Sequence, residues 1–260
     1  MHDSFEVQAF GTDIRAAGSS SAACALLERC IFPSLPRQAG AGSPPDLTLW
    51  LEESAGRFEL SAGDVSIGSA SEAVRLAPEV VRVVDHTVIR RLDHLRAMHA
   101  AVVAFGEGAL LLPGIAHAGK TTLVAELLRR GATYYSDEYA LIDRQGRVHP
   151  YPQPLLLRNG RPEQIPVLPE ECGSRMGSGP LPVRWIIGLV YNPEKAWKVS
   201  SVSQGETVVL LLQNTPHVWA RTPDLPEMLS RTVAGAACFV GTRGEAAEAA
   251  EQILGLVEAQ

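Results

Sequence analysis

Residues Gly114-Ile115-Ala116-His117-Ala118-Gly119-Lys120-Thr121 follow the pattern G-x-x-x-x-G-K-T, and Thr122 extends the stretch. That spacing suits one task, the cradling of a phosphate chain. Glycines let the backbone turn tightly, so that successive N–H groups point at a single anion. The lysine of the pattern, Lys120, reaches the β- and γ-phosphates, and the hydroxyl of Thr121 ligates Mg²⁺. The expected ligand is therefore a nucleoside triphosphate with its magnesium ion. Phosphoryl transfer requires two more parts, one to hold the metal and one to take a proton from the attacking hydroxyl. Asp137-Glu138 is the candidate for both. Consecutive side chains on an extended backbone point to opposite sides. Asp137 is accordingly assigned to the acceptor hydroxyl as base, and Glu138 to the metal or its water shell. An acidic pair after a strand is also a common solvated turn; its place just beyond the loop helix favours chemistry. His99 sits at the mouth of a strand next to the loop strand, where an imidazole would touch a phosphate or its proton. A histidine at a strand start is otherwise an ordinary structural residue.

These residues need a strand before the loop and a helix after it. Ala109-Leu110-Leu111-Leu112, bracketed by Gly108 and Pro113, is a short buried-strand run. Residues 122–130 place Leu123, Leu127 and Leu128 on one helical face, with Arg129 and Arg130 in the last turn and Gly131 as the stop. Upstream, residues 92–98 read as a helix leading into His99, followed by the apolar strand Ala100-Ala101-Val102-Val103-Ala104-Phe105 and the turn Gly106-Glu107-Gly108. Two strands joined by so short a turn must be antiparallel, so the nucleotide loop is expected to follow a hairpin rather than a crossover helix.

Beyond the acids, Tyr139-Ala140-Leu141-Ile142 reads as a strand, residues 148–154 as edge strand or loop, and residues 158–182 as a long Gly-, Pro- and Glu-rich loop of the kind that is functional or mobile. Residues 183–191 form a strong strand. Ser203-x-x-Glu206 is a capping box opening a helix, 225–234 a second helix, 237–240 a short strand, and Thr242-x-x-Glu245 a further capping box before a final helix. Before residue 92, a helix at 22–31, strands at 47–51 and 57–60 joined near Gly56, and a strand at 80–84 make a small α/β region. The expected division is residues 1–91 as this region and 92–260 as the nucleotide-binding core.

With 260 residues, 46% hydrophobic and 20% charged, the chain has the composition of a globular protein with a sizeable core. A net charge of −6 without a basic run argues against nucleic acid held by electrostatics alone. No stretch approaches the ~20 apolar residues of a membrane span, and the N-terminus lacks the basic start and apolar run of a signal peptide. A cytoplasmic location is the expectation. Cys24, Cys30, Cys172 and Cys238 form no C-x-x-C pair and read as buried or incidental thiols.

Met98-His99-Ala100-Ala101-Val102, the loop 114–122, Arg130-Gly131 and Ser136-Asp137-Glu138 together resemble bacterial HPr kinase/phosphorylase. The closer resemblance is to its short HPr-kinase-like relatives, some of them encoded with ribosomal-peptide maturation systems such as those of lasso peptides. It covers residues 92–260 and rests on the order and spacing of histidine, P-loop and acidic pair. It implies a P-loop kinase core of the HPr kinase and PEP carboxykinase type, a mixed sheet with helices, preceded by the small α/β region. It implies ATP-dependent phosphorylation of a serine hydroxyl on a protein or peptide, with His99 and Lys120 as catalytic residues. Thr121 would be the metal-binding hydroxyl, and Asp137 the base that shuttles the proton in transfer and in its reverse. Family members often assemble as homo-oligomers, though no heptad marks this chain. The family's Asp-Asp pair is Asp137-Glu138 here, one methylene longer at the second place. His117 stands where a small residue is usual. The bifunctional enzymes' Glu-x-Arg-Gly segment has only Leu155-Leu156-Leu157-Arg158-Asn159-Gly160 as its counterpart, with Glu163 the nearest substitute. That departure weighs against phosphorolysis. A small-molecule kinase and a nucleotide-binding regulatory module without transfer are the alternatives. A GTP switch is disfavoured, because no N-K-x-D motif occurs.

Overall fold

The structure, a computed structural model, describes residues 3–38, 44–114, 119–158, 160–216 and 222–259. It divides into two compact units: residues 1–92 with 152–168, and residues 93–151 with 169–260.

The first unit opens with β1 (Asp3–Ala9) and β2 (Thr12–Gly18), an antiparallel hairpin, then α1 (Ser21–Cys30). Strands β3 (Leu47–Ser54), β4 (Arg57–Ala62) and β5 (Val65–Ala70) complete a five-stranded sheet in sequence order, in which β2 and β3 are parallel. Alternation writes the sheet: in β2 every second residue, including Ile14 and Ala16, is buried. The helix α2 (Ala77–Arg91) covers this core with Val80, Val81, Val84 and Val88. Residues 80–84, expected as a strand, are helical. The valines have high β-propensity, but their spacing of one, three and four residues fits a helical face, and a proline at the helix start sets its first turn.

The second unit begins with β6 (Arg96–Phe105) and β7 (Gly108–Pro113), the antiparallel hairpin the short turn demanded, with Gly106 at φ +56°. The expected helix over 92–98 does not form: residues 92–95 are an irregular bend, and Arg96 to His99 open β6, where they pair with a later strand. Helix α3 (Lys120–Arg129) follows the loop and buries Leu123, Val124, Leu127 and Leu128. Then come β8 (Thr133–Ser136), β9 (Tyr139–Ile142) and β10 (Arg147–His149). The short antiparallel pair β11 (Leu155–Leu157) and β12 (Ile165–Val167) belongs to the first unit, where Pro166 O accepts from Arg29 Nε at 2.9 Å. The chain continues in the second unit with β13 (Leu181–Tyr191), β14 (Lys198–Ser201), α4 (Gln204–Gln213), α5 (Leu225–Val233), β15 (Ala237–Arg243) and α6 (Ala246–Glu258). Its sheet runs β10-β9-β6-β7-β13-β15-β14, with β8 also on β6 and β10 also on β13. β7, β13 and β15 are mutually parallel and the flanking pairs antiparallel, so the sheet is mixed.

The Ser203–Glu206 capping box is formed as expected, with both reciprocal bonds. The Thr242–Glu245 box is not. Thr242 lies within β15, paired to Val190 and Lys198, and α6 starts from Glu245 without a side-chain cap. Two strand partners outweigh one capping bond. The stretch 158–182 is more ordered than its composition suggested. It contains β12 and a 3₁₀ turn at Pro169–Cys172, and residues beyond it are bonded to β8 through Tyr134 N to Arg175 O and Gly177 N to Tyr134 O.

Candidate functional site

The site is assembled by β6. One edge of this strand pairs with β7, so that Ala100 lies opposite Pro113 and Ala101 opposite Leu112, bringing the strand end and Gly114 alongside. The other edge pairs with β8 and then β9. Val102 faces Ser136, and His99 faces Tyr139. The chain between those two points is Asp137-Glu138, which must therefore cross opposite Ala100 and Ala101. The acids are held one strand away from the end of β7, with a register irregularity between Val102 and Val103 where β8 gives way. Small side chains on β6 are what this proximity requires, and Ala100 and Ala101 are fully buried.

On the loop side, Gly119 has φ +71° and caps α3. A side chain there would be strained, and its Cβ would stand 2.5 Å from Arg243 Nη2. Lys120 is buried in the first turn of α3 and donates from Nζ to Gly114 O at 2.8 Å, bridging the two ends of the loop. The Thr121 hydroxyl donates a hydrogen bond to the Asp137 carboxylate. The interior Ile115, Ala116, His117 and Ala118 lie outside the described residues, and Thr122 is exposed on α3.

Asp137 has the most perturbed carboxylate of the unit. Burial pushes its pKa from 3.8 up to about 7; the Thr121 hydrogen bond and the Lys120 charge pull it down, and Glu138 pushes it up. Its Oδ1 is shut off from solvent without a hydrogen-bond partner. Glu138 turns the other way: its Oε1 lies 3.3 Å from His99 Nδ1. His99 donates its backbone N–H to Asn214 O at 2.8 Å and accepts at its own carbonyl from Gly114 N at 3.2 Å. Its ring packs against Tyr139, centroids 4.7 Å apart. His99, Lys120, Thr121, Asp137 and Glu138 are thus brought together by direct contacts or through Gly114.

Three contributors were not singled out in the sequence. Arg243, at the end of β15 and almost wholly buried, donates from Nη2 to Gly119 O at 2.8 Å and from Nη1 to Gly244 O at 2.9 Å. Its guanidinium lies 4.8 Å over the Tyr191 ring. Burial lowers its pKa, against the opposing influence of Tyr191 and Glu245. The available signal was an arginine followed by glycine at a strand end, a position where a sheet delivers side chains to a ligand edge. Asn214 closes α4, and Tyr139 follows the acids; neither stands in a pattern that sequence alone would mark.

No protein-family model and no curated protein matches this chain. Among solved structures, it is similar to the HPr(Ser) kinase/phosphatase from Coxiella burnetii, with 15% identity and a TM-score of 0.33, over 63% of this chain and 95% of that one. Among the described residues, no helix is long and apolar enough to cross a membrane.

Proposed function

We propose that this chain is an ATP-dependent phosphotransferase that moves the γ-phosphoryl group to a serine hydroxyl of a protein or peptide. The observation that carries the reading is the hydrogen bond from Thr121 to Asp137 beside the buried Lys120 at the start of α3. A hydroxyl, a carboxylate and an ammonium group meet at a helix N-terminus, the arrangement that phosphate and its counter-ion need. The serine acceptor is supported by the resemblance of the histidine, loop and acidic pair to the HPr-kinase-like enzymes.

The donor set also fits Mg²⁺. This ion takes one or two protein oxygens and keeps several waters; Thr121 Oγ1 and the orphaned Asp137 Oδ1 are hard oxygens of that kind. When bound, the ion would neutralise charge on the phosphate oxygens. In the transfer, the acceptor oxygen forms a bond to the γ-phosphorus as the bond from that phosphorus to the β–γ bridging oxygen breaks. The hydroxyl proton passes to Asp137, and the bridging oxygen leaves with ADP. Burial raises the Asp137 pKa in the free protein, which helps it hold the proton it takes, while Lys120 and a bound cation would keep it ionised beforehand. Lys120 stabilises the charge that builds on the leaving oxygens.

The test is transfer of label from [γ-³²P]ATP to serine-containing peptides and proteins, together with calorimetric titration of ATP and Mg²⁺. Transfer to serine supports the reading. ATP binding without transfer to any acceptor would favour the regulatory module, and absence of ATP binding would overturn both.

A further inference from the structure

We propose that Glu138 is a positioning residue that acts through His99 on the acceptor substrate, rather than a ligand of the metal. The proposal rests on the phosphotransferase reading for its kinetic consequences, but its structural part stands by itself. The backbone of His99 is restrained at both polar atoms. Its N–H is on Asn214 O at 2.8 Å, and its carbonyl is on Gly114 N at 3.2 Å. One ring face is against Tyr139. Its Nδ1 is closed to solvent and lies 3.3 Å from Glu138 Oε1. The side chain nevertheless keeps 31% of its surface exposed. With Nδ1 closed, the polar atom left for the open edge is Nε2. The 3.3 Å approach falls short of hydrogen-bond geometry, but a carboxylate this close still favours a proton on the nitrogen that faces it in the substrate-free protein.

A carboxylate at Nδ1 fixes the neutral ring as the Nδ1–H tautomer, which leaves Nε2 as a hydrogen-bond acceptor. An acceptor at that point does not suit an unprotonated phosphate oxygen. It suits a donor group, the hydroxyl or an amide N–H of the incoming substrate. The Asp137 carboxylate is tied to Thr121 on the loop side, whereas the Glu138 carboxylate is tied to the histidine. The two adjacent acids thereby have different tasks: Asp137 stands beside the phosphate-binding loop, where it takes the acceptor proton, and Glu138 orients the histidine of the acceptor wall. The extra methylene of Glu relative to Asp is what lets the side chain span to His99 while the backbone continues into β9.

The experiment compares the wild type with Glu138→Ala, Glu138→Gln, Glu138→Asp, His99→Asn and the double variant Glu138→Ala/His99→Asn. The ATP dissociation constant and the Mg²⁺ concentration for half-maximal activity are expected to stay within twofold of wild type in the Glu138 variants. The kcat/KM for the serine acceptor is expected to fall about 10–100-fold in Glu138→Ala, the usual range for loss of a residue that orients a ligating or catalytic histidine. Gln keeps an oxygen for Nδ1–H and should recover part of the loss; Asp, too short, should not. The double variant should be no worse than His99→Asn alone. An independent arm needs no substrate: ¹⁵N NMR of the labelled imidazole should show the Nδ1–H tautomer in the wild type and its loss in Glu138→Ala. A tautomer that does not change, a tenfold rise in the Mg²⁺ requirement, or additive losses in the double variant would overturn the proposal. If the wild type transfers no phosphate, the NMR arm still decides the Glu138–His99 link, so failure of the two readings can be told apart.

Discussion

Asp137→Asn should make the free protein more stable while removing its activity. The carboxylate has an ordinary pKa of 3.8 in the unfolded chain and about 7 in the fold, with burial the main cause. The folded state therefore holds the proton more tightly, and ionisation costs folding free energy as pH rises from 3.8 through 7. At about 1.4 kcal/mol per tenfold difference in proton affinity, the full cost above pH 7 is about 4 kcal/mol. Asparagine is isosteric and carries no charge to desolvate. It can still accept from Thr121, and the charge-assisted bond that it gives up is already counted in the folded value of about 7. The net expectation is a gain of about 4 kcal/mol at pH 8, shrinking as pH falls below 7 and nearly gone by pH 4, where the folded-state carboxyl is protonated. Urea unfolding in the presence of EDTA at pH 8, 6 and 4 measures it, with EDTA keeping cations from masking the charge. Phosphoryl transfer by the same variant should fall by about 10²–10⁴. A variant less stable than wild type at pH 8 would show that Asp137 is compensated in the free protein, and undiminished transfer would remove it as base. Stability gained where activity is lost is the usual mark of a strained functional group.

Lys120→Ala removes the charge-assisted bond to Gly114 O and the cation beside the phosphates. It should weaken ATP binding by about 10–150-fold, measured calorimetrically, the equivalent of about 1.5–3 kcal/mol. Gly119→Ala should lower stability by about 1–2 kcal/mol from the left-handed backbone alone, and displace Arg243 in addition; thermal unfolding with and without ATP reads both. Arg243→Lys should not rescue Arg243→Ala, because an ammonium group cannot reproduce the fork that reaches Gly119 O and Gly244 O together. Asp143 supplies a pH dependence of opposite sign. Burial works to raise its pKa, but bonds from His149 and Arg147 more than offset this and hold it below 3.8. Its contribution to stability is present above pH 3.8 and is lost as pH falls through the lower folded value. Asp143→Asn should therefore flatten the acid limb of the stability curve, followed by urea midpoints from pH 5 downward.

The local parts of the site were legible because each carries its own physics. A two-residue turn at Gly106-Glu107 leaves no choice but an antiparallel hairpin, and β6 and β7 are one. The run from Leu123 to Leu128 repeats at helical spacing, and α3 forms where it does. What failed was decided at a distance. Residues 92–98 carry helical spacing, yet Arg96 to His99 gain ladder partners in Tyr139 to Ile142, some forty residues on. Val80 to Val84 favour strands by residue type, but α2 uses them to cover a sheet. Thr242 fits a capping pattern, and two neighbouring strands take it first. Arg243 and Asn214 were invisible for the same reason: nothing near them in sequence says that β15 ends against Gly119, or that α4 ends against His99.

These distant pairings also explain why the acids can be adjacent in sequence and divided in task. β6 is the only described strand that contacts the loop strand on one edge and the acid-bearing chain on the other. Had β8 run on unbroken, Asp137 and Glu138 would have alternated above and below one ladder, and neither would have turned toward the end of β7. The break after Ser136 and the resumption at Tyr139 leave both residues outside the ladder, opposite two alanines. Asp137 then reaches Thr121, and Glu138 reaches His99 on the same strand that the ladder has just left. A bulkier residue at Ala100 or Ala101 should thus separate the acids from the loop without touching either one. Ala101→Val would test this: nucleotide affinity and turnover should fall together while the Glu138–His99 contact, one residue farther along, keeps its NMR signature.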